Sequence, residues 1–285
     1  MKIATWNVNS LRARADRVES WLDRSDVDVL AIQETKCRDE NFPWELFERR
    51  GYEVAHFGFS QWNGVAIASR VGLTNVERTF IGQPAFGKNG VDAVQEARAL
   101  AATVGEGADA LRLWSLYVPN GRALDDEHMV YKLQWLDALK DRVAEQLTAD
   151  PELRIALTGD WNIAPQDEDV WDIQHFLDEG LTHVSAPERA AFHAFETAGF
   201  QDVVRPWTPG PGTYTYWDYK QLRFPKKQGM RIDFILASPA LAGTVTGAWI
   251  DREERKGKGA SDHAPVVVEL GSEPAAGGTT APAGT

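Results

Sequence analysis

Runs of apolar and β-branched residues, each of strand length, recur along the chain: Ile3 to Val8, Val27 to Ile32, Gly64 to Ala68, Leu111 to Val118, Arg154 to Thr158, Ile232 to Ala237 and Pro265 to Leu270. Most are bounded by Gly, Pro, Asn or Asp, which favour turns. Between some of them lie helical patterns, Ala15 to Leu22 and Glu127 to Leu147. In the second, Met129, Leu133, Leu136, Leu139 and Val143 recur at intervals of three and four. Strands and helices interleaved in this way describe an α/β layered domain. The 285 residues, 43% of them hydrophobic, can bury a sizeable core, and no internal repeat or interdomain linker divides them. Residues 271–285 are rich in Gly, Ala, Pro and Thr without an apolar period. They read as a disordered tail on a folded domain spanning 1–270.

Polar residues sit at the strand ends, and their placement constrains the topology. Asn7, Glu34, Asn120 and Asp160 follow or close their strands, whereas Asp233 opens one and Asp262-His263 precedes another. If all line one rim, the later strands run opposite to the earlier ones. The sheets are then mixed, which disfavours a Rossmann or barrel topology.

Composition narrows the function classes. A formal net charge of -12 argues against binding a polyanion, but basic residues concentrate at Arg12/Arg14/Arg17, Arg223/Lys226/Lys227/Arg231 and Arg252/Arg255/Lys256/Lys258. Any one of these clusters also reads as solubilising charge; their position beside the polar motifs favours a role. The single cysteine, Cys37, forms no internal disulfide, and the start reads as a core strand without the layout of a signal peptide, so a reduced, cytoplasmic protein is expected. No apolar run approaches the roughly 18 residues of a membrane helix.

The polar ends carry recognisable chemistry. Glu34, directly after Val29-Leu30-Ala31-Ile32-Gln33, offers a hard oxygen ligand where the core opens, suited to Mg²⁺ or Mn²⁺ and not to zinc. Asn7 alone reads more readily as a turn cap. Asp160 and Asn162 are two residues apart, so an extended backbone would point both to one side; an Asx-type turn is the alternative. Asp262 and His263 add a carboxylate and an imidazole, with Asp233 a candidate to hold that imidazole in one tautomer. Ser261 lacks the Gly-x-Ser-x-Gly elbow of a nucleophile. Tyr117-Val118-Pro119-Asn120-Gly121-Arg122 places a phenol, an amide and a guanidinium where they can donate to phosphate. A cation site, a positioned water and several donors are what metal-assisted hydrolysis of a phosphate ester needs.

The chain resembles the exodeoxyribonuclease III-type enzymes, a branch of the endonuclease/exonuclease/phosphatase superfamily that includes AP endonucleases. Eight motifs in family order carry the resemblance from Met1 to about Leu270: Thr5 to Arg12, Gln33 to Lys36, Trp62 to Ile67, Glu96 to Arg98, Tyr117 to Gly121, Gly159 to Pro165, Arg231 to Asp233 and Ser261 to Pro265. It implies a DNase I-like, four-layer α/β sandwich with two packed mixed β-sheets and the active site at one end between them. It implies Glu34 as principal metal ligand for Mg²⁺ or Mn²⁺, helped by Asn7 and Asp262, with Asp160 and Asn162 handling the attacking water, a second metal position, or both. His263, oriented by Asp233, and Tyr117 with Asn120 would hold and polarise the scissile phosphate.

The implied substrates are duplex DNA 3′ ends, degraded 3′ to 5′, and abasic sites, with removal of 3′-phosphate and other 3′-blocking groups, in base excision repair. A monomer is expected. Thr213 to Tyr219, followed by Leu222 to Lys227, mixes aromatic and basic residues as a stacking and phosphate-gripping segment would, although core packing is the alternative for such rings. Tyr216 or Trp217, with Met230 and Ile232, would wall an abasic pocket. Some relatives carry a tryptophan where Met230 stands, which bears on the preference for abasic sites over free ends. Asn9, Lys36, Arg122, Arg223 and Lys226 are the further expected substrate contacts. Competing readings are a superfamily member acting on small phosphates and a catalytically silent DNA-binding domain, although the second would be expected to have lost part of the acid, amide and imidazole set that this chain retains.

Overall fold

The computed structural model describes residues 1–87 and 92–271. In chain order the strands are β1 (Lys2–Asn7), β2 (Val29–Gln33), β3 (Glu53–Phe57), β4 (Val65–Ser69), β5 (Leu73–Arg78), β6 (Ala99–Val104), β7 (Leu111–Tyr117), β8 (Ile155–Asp160), β9 (Gln201–Asp202), β10 (Asp233–Ala237), β11 (Val245–Ile250) and β12 (Val266–Leu270). The helices are α1 (Ala15–Ser25), α2 (Trp44–Glu48), α3 (Glu127–Ala149), α4 (Ile173–Asp178), α5 (Ala186–Thr197) and α6 (Pro239–Ala242). One sheet has the order β11-β12-β1-β2-β4-β3, the other β5-β6-β7-β8-β10-β9.

Each sheet contains one parallel pair, β1 with β2 and β7 with β8, whose strands are joined by the crossover helices α1 and α3. The remaining pairs are antiparallel. In particular β10 runs against β8 and β12 against β1, as polar groups gathered on one rim require.

Alternation along the strands builds the layers. Ile3, Val29, Ala31, Ile67 and Val268 of the first sheet pack with Leu100, Leu113 and Ile235 of the second in the space between the sheets. Their neighbours Ala4, Trp6, Leu30 and Ile32 point the other way, onto Val18, Trp21 and Leu22 of α1 and Phe47 of α2. On the second sheet Trp114, Leu116 and Leu157 meet Trp135, Leu136 and Leu139 of α3 and Phe192 and Phe195 of α5. Strands buried on both faces need near-continuous apolar runs, which is why these were legible in the sequence.

Along α3 the buried stripe differs from the one its periodicity suggests. Leu133 is half-buried, while Tyr131, Lys132 and Trp135 are buried with Met129, Leu136, Leu139 and Val143. The Lys132 ammonium reaches the Glu188 carboxylate of α5, with both side chains fully buried. At the C-terminus the Gly271 N–H donates to the Thr244 carbonyl at 2.7 Å; the rest of the expected tail, 272–285, lies outside the described residues. Among the described residues no helix is long and apolar enough to cross a membrane.

His56 on β3 is buried between the Thr35 hydroxyl and the Asp39 carboxylate, each 2.8 Å away. Burial pushes its imidazole from 6.5 down to about 4 despite the attraction of Asp39. The unfolded chain therefore takes up this proton first, so the neutral ring's contribution is complete above about pH 6.5 and is lost as pH falls toward 4. In urea unfolding, the stability gap between wild type and His56→Gln is expected to narrow on acidification through this window, by up to about 1.4 kcal/mol per pH unit. A gap independent of pH would refute a neutral buried His56.

Candidate active site

The ends of four central strands meet on one rim. Parallel pairing of β1 and β2 sets Asn7 beside Gln33, so Glu34 emerges one residue beyond it. In the second sheet Tyr117 and Asp233 lie on either side of Asp160 in register. Asn7 joins the two sheets: its Nδ2 donates to Glu34 Oε1 and to Asp160 Oδ2, each at 2.9 Å. Asn7 Oδ1 accepts the Asn9 N–H at 3.0 Å. The chain turns sharply here, with left-handed backbone at Asn9 (φ 45°), Glu34 (φ 55°), Lys36 (φ 51°) and Asn162 (φ 50°), a conformation that is costly outside glycine and gathers at functional sites.

His263 completes the cluster from the loop before β12. Its Nδ1 lies 2.8 Å from Asp233 Oδ2 and its Nε2 3.8 Å from Asp160 Oδ2. Among the described residues, Glu34, Asp160 and His263 form the group of potential ligands whose atoms lie within 4.8 Å of one another.

Burial and neighbouring charge divide the protons among these groups. Burial would raise the Glu34 carboxyl, but the Lys36 ammonium 2.6 Å from Oε2, with the Asn7 amide, holds it below its usual range. Asp160 is pushed up to about 7 by burial and by the Asp233 and Glu34 charges, with His263 acting in the other direction. Burial alone would depress His263, yet Asp233 and Asp160 raise it to about 10. Burial, reinforced by Glu34, pushes the Tyr117 phenol well above 10. At neutral pH the rim therefore carries one firm carboxylate, a second carboxylate near its titration point, an imidazolium and a neutral phenol. Two close carboxylates with no sulfur ligand fit a hard divalent cation, and a protonated His263 serves as a donor, not a ligand.

Tyr216 packs against His263, with ring centroids 4.8 Å apart, and opens a cavity of about 210 Å³ that is also lined by Trp171, His175, His183, Arg223 and Met230. On the other side of the rim Tyr117, Asn120 and Arg122 border a larger recess of about 590 Å³ with exposed Phe59 and Trp62. The rim thus lies between two recesses of different shape.

Several expected contacts sit elsewhere. Trp217 is only 1% exposed and packs edge-on to Phe224 and Tyr214 with Arg252 over its ring, because successive side chains of this extended segment point to opposite sides and Tyr216 takes the cavity side. Ile232 is buried behind the wall with Ala164, Val170 and Phe176. Lys226 is exposed and does not line the cavity.

The Asp262 carboxylate is held by Asn9 Nδ2 at 3.0 Å and falls outside the Glu34, Asp160 and His263 group; Lys36 Nζ also donates to Asn9. Asp160 closes β8, but Asn162 is not presented by extended backbone. Asn162 adopts the Asx-turn geometry, its N–H on Asp160 Oδ1 at 2.9 Å, while its carboxamide donates to the Val118 carbonyl and accepts from Asn120 Nδ2, both at 3.0 Å. Ser261 Oγ donates to the Asn7 carbonyl at 2.7 Å, a fastening role.

Comparison with known proteins agrees with this geometry. The family model described as Endonuclease/Exonuclease/phosphatase family matches residues 4–263. The chain belongs to that family. It is 30% identical to exodeoxyribonuclease III of Haemophilus influenzae over 95% of this chain and 100% of that protein. Among solved structures, the 3′-5′ exonuclease NExo of Neisseria meningitidis, and a 3′ phosphatase NExo from Neisseria bound to product DNA hairpin, each share 36% identity, with a TM-score of 0.84 over 95% of this chain and 99% of theirs. An AP endonuclease from Archaeoglobus fulgidus shares 33% identity, with a TM-score of 0.83 over 95% of this chain and 99% of its own. These likenesses bear out the DNase I-like sandwich.

Sequence reasoning missed Trp171, His175 and His183 in the cavity wall. Trp171 and His183 lie on irregular segments and His175 on α4, a six-residue helix too short to show a period, so no pattern marks them. The position of Asn7 between two acids makes its amide the test of the cluster. Asn7→Asp, of the same shape, places a third acid between Glu34 and Asp160 and is expected to lower stability by about 2 kcal/mol in EDTA. Added Mg²⁺ should recover most of that loss in thermal unfolding; an Asn7→Asp protein as stable as wild type in EDTA would refute the bridge.

Proposed function

We propose that this protein is a divalent-metal-dependent DNA phosphodiesterase of base excision repair, acting as a 3′ to 5′ exodeoxyribonuclease and AP endonuclease, with 3′-phosphatase activity at blocked ends. The observation that carries this reading is the Asn7-bridged pair Glu34 and Asp160 facing the Asp233–His263 pair, at the junction of two recesses. Exodeoxyribonuclease and AP endonuclease relatives, one of them solved with a DNA product, support DNA as the substrate class.

Glu34, with Asp160 beside it, would hold Mg²⁺ or Mn²⁺, which when bound supplies Lewis-acid charge neutralisation at a phosphoryl oxygen. The Lys36 ammonium now paired to Glu34 can turn toward substrate phosphate. His263, its Nδ1 fixed by Asp233, presents Nε2–H to a phosphoryl oxygen, and the neutral Tyr117 phenol adds a second donor. Asp160, its carboxylate fixed by the Asn7 amide and the Asn162 N–H, accepts the proton of the attacking water. Asn120 and Asn162 fix the edge of this arrangement, and Arg122 and Arg223 flank it on the two recesses. Tyr216 and Met230 receive the sugar or terminal nucleotide in the cavity. With one buried free thiol, Cys37, the protein suits a reducing cytoplasm.

A labelled duplex carrying one abasic site, and a second with a recessed 3′ end, test this reading. Cleavage is expected with Mg²⁺ or Mn²⁺ and none with EDTA. Glu34→Ala and His263→Ala should each lower turnover by about 100-fold or more while thermal unfolding confirms the fold. Turnover of small phosphate esters with both duplexes left intact would overturn the nuclease assignment.

A further inference from the structure

A buried cation stands behind the catalytic rim without entering it. Lys132 Nζ, on α3, donates to the Asn162 carbonyl at 2.6 Å and to the Asn120 carbonyl at 3.3 Å, and pairs with Glu188 of α5. Both charged side chains are fully excluded from solvent. His183 Nδ1 lies on the same Asn162 carbonyl at 2.6 Å, and Glu188 accepts the His183 N–H at 3.0 Å. Asn162 is held in left-handed backbone, with its carboxamide on Asn120 and its N–H on Asp160. Two loops that reach the rim from different strands are thereby tied to a single ammonium.

A buried ion pair is a poor way to gain stability, since apolar side chains of similar volume serve as well or better. The bonds from Lys132 to two loop carbonyls indicate positioning as its use. We propose that Lys132, paired with Glu188, is a positioning residue that locks the Asn120–Asn162 amide pair, and through the Asn162 N–H the Asp160 carboxylate, in the geometry that hydrolysis requires. This rests on the nuclease reading above and extends it to residues that touch neither substrate nor cation. His183 contributes from the cavity wall, so contacts in that cavity reach the same carbonyl.

The test is the neutral pair Lys132→Met/Glu188→Gln, which removes both buried charges at once. With the full-length protein and saturating Mg²⁺ on the abasic-site duplex, kcat is expected to fall at least about tenfold, while duplex affinity in EDTA and the melting temperature stay close to wild type. In an Asn162→Ala background the same pair should cost measurably less than in wild type, because the carboxamide being positioned is gone while only the backbone N–H to Asp160 remains. A folded neutral pair with wild-type kcat, or an undiminished loss in the Asn162→Ala background, overturns the inference.

If the neutral pair fails to fold, His183→Ala removes one donor and leaves the ion pair. Its expected signature is a lowered kcat at saturating DNA, with a smaller loss in the Asn162→Ala background, and an unchanged kcat overturns the inference. Should wild type cleave neither duplex, the nuclease reading falls and the inference with it; wild-type cleavage beside an equally active variant removes the positioning role alone.

Discussion

The site depends on one carboxamide. Asn7 belongs to the first sheet and Asp160 to the second, and the Asn7 Nδ2 that donates to both Glu34 and Asp160 lets two acids approach without mutual repulsion going unanswered. That amide can do so only if the sheets are aligned to within a hydrogen bond. A buried polar layer just below supplies the alignment: Gln33 Nε2 donates to Ser115 Oγ at 3.0 Å, Ser115 Oγ donates to the Ile32 carbonyl at 3.0 Å, and Thr5 Oγ1 bonds Gln33 Oε1 at 3.2 Å. Apolar surfaces slide over one another at little cost, whereas buried polar groups must keep their partners. A few side-chain bonds inside an otherwise apolar interface therefore set the register of the whole rim.

Around that bridge the charges are arranged in opposition. Asp233 would be a buried anion without His263, and His263 would lose its proton to burial without Asp233 and Asp160. Glu34 stays ionised because Lys36 is beside it, while Asp160, farther from a full cation, rises toward neutrality. Two carboxylates in one pocket thus acquire different proton affinities from their neighbours. The same logic continues behind the rim, where Glu188 and Lys132 neutralise each other in the helix layer.

The sequence showed the central strands clearly because both their faces are buried, and showed the rim because its polar residues interrupt apolar runs abruptly at Asn7, Glu34 and Asp160. Strands β5 and β11 were not legible, since most of their residues are exposed or half-buried and their composition is mixed. Ala99–Val104 was missed because an alanine-rich segment favours neither period. The choice between Tyr216 and Trp217 needed the facing of a single residue, which composition does not give. Asn162 looked like half of an extended pair, yet its side chain is drawn back onto Val118 and Asn120 by contacts distant in sequence. Lys132 was invisible for a different reason: a lysine on an amphipathic helix reads as solvated unless its partner, here 56 residues away, is known.

An acidic protein can act on a polyanion when its positive groups are local and its substrate path is narrow. The net charge of -12 is a sum over the whole surface, but Lys36 stands beside Glu34 at the rim, and Arg122 and Arg223 line the two recesses that flank it. Screening reduces the influence of more distant acids over about 10 Å at ordinary salt, while the groups in contact act through short hydrogen bonds that salt weakens far less. The two recesses then divide the remaining recognition. The recess beside Tyr216, walled by Trp171, Phe176 and Tyr216, is the smaller at about 210 Å³, against about 590 Å³ beside Trp62. On the nuclease reading, a phosphodiester at the junction has room for a single sugar or terminal nucleotide on the smaller, ring-walled side and for a continuing strand on the larger, as a chain end or a nucleotide drawn out of the stack requires.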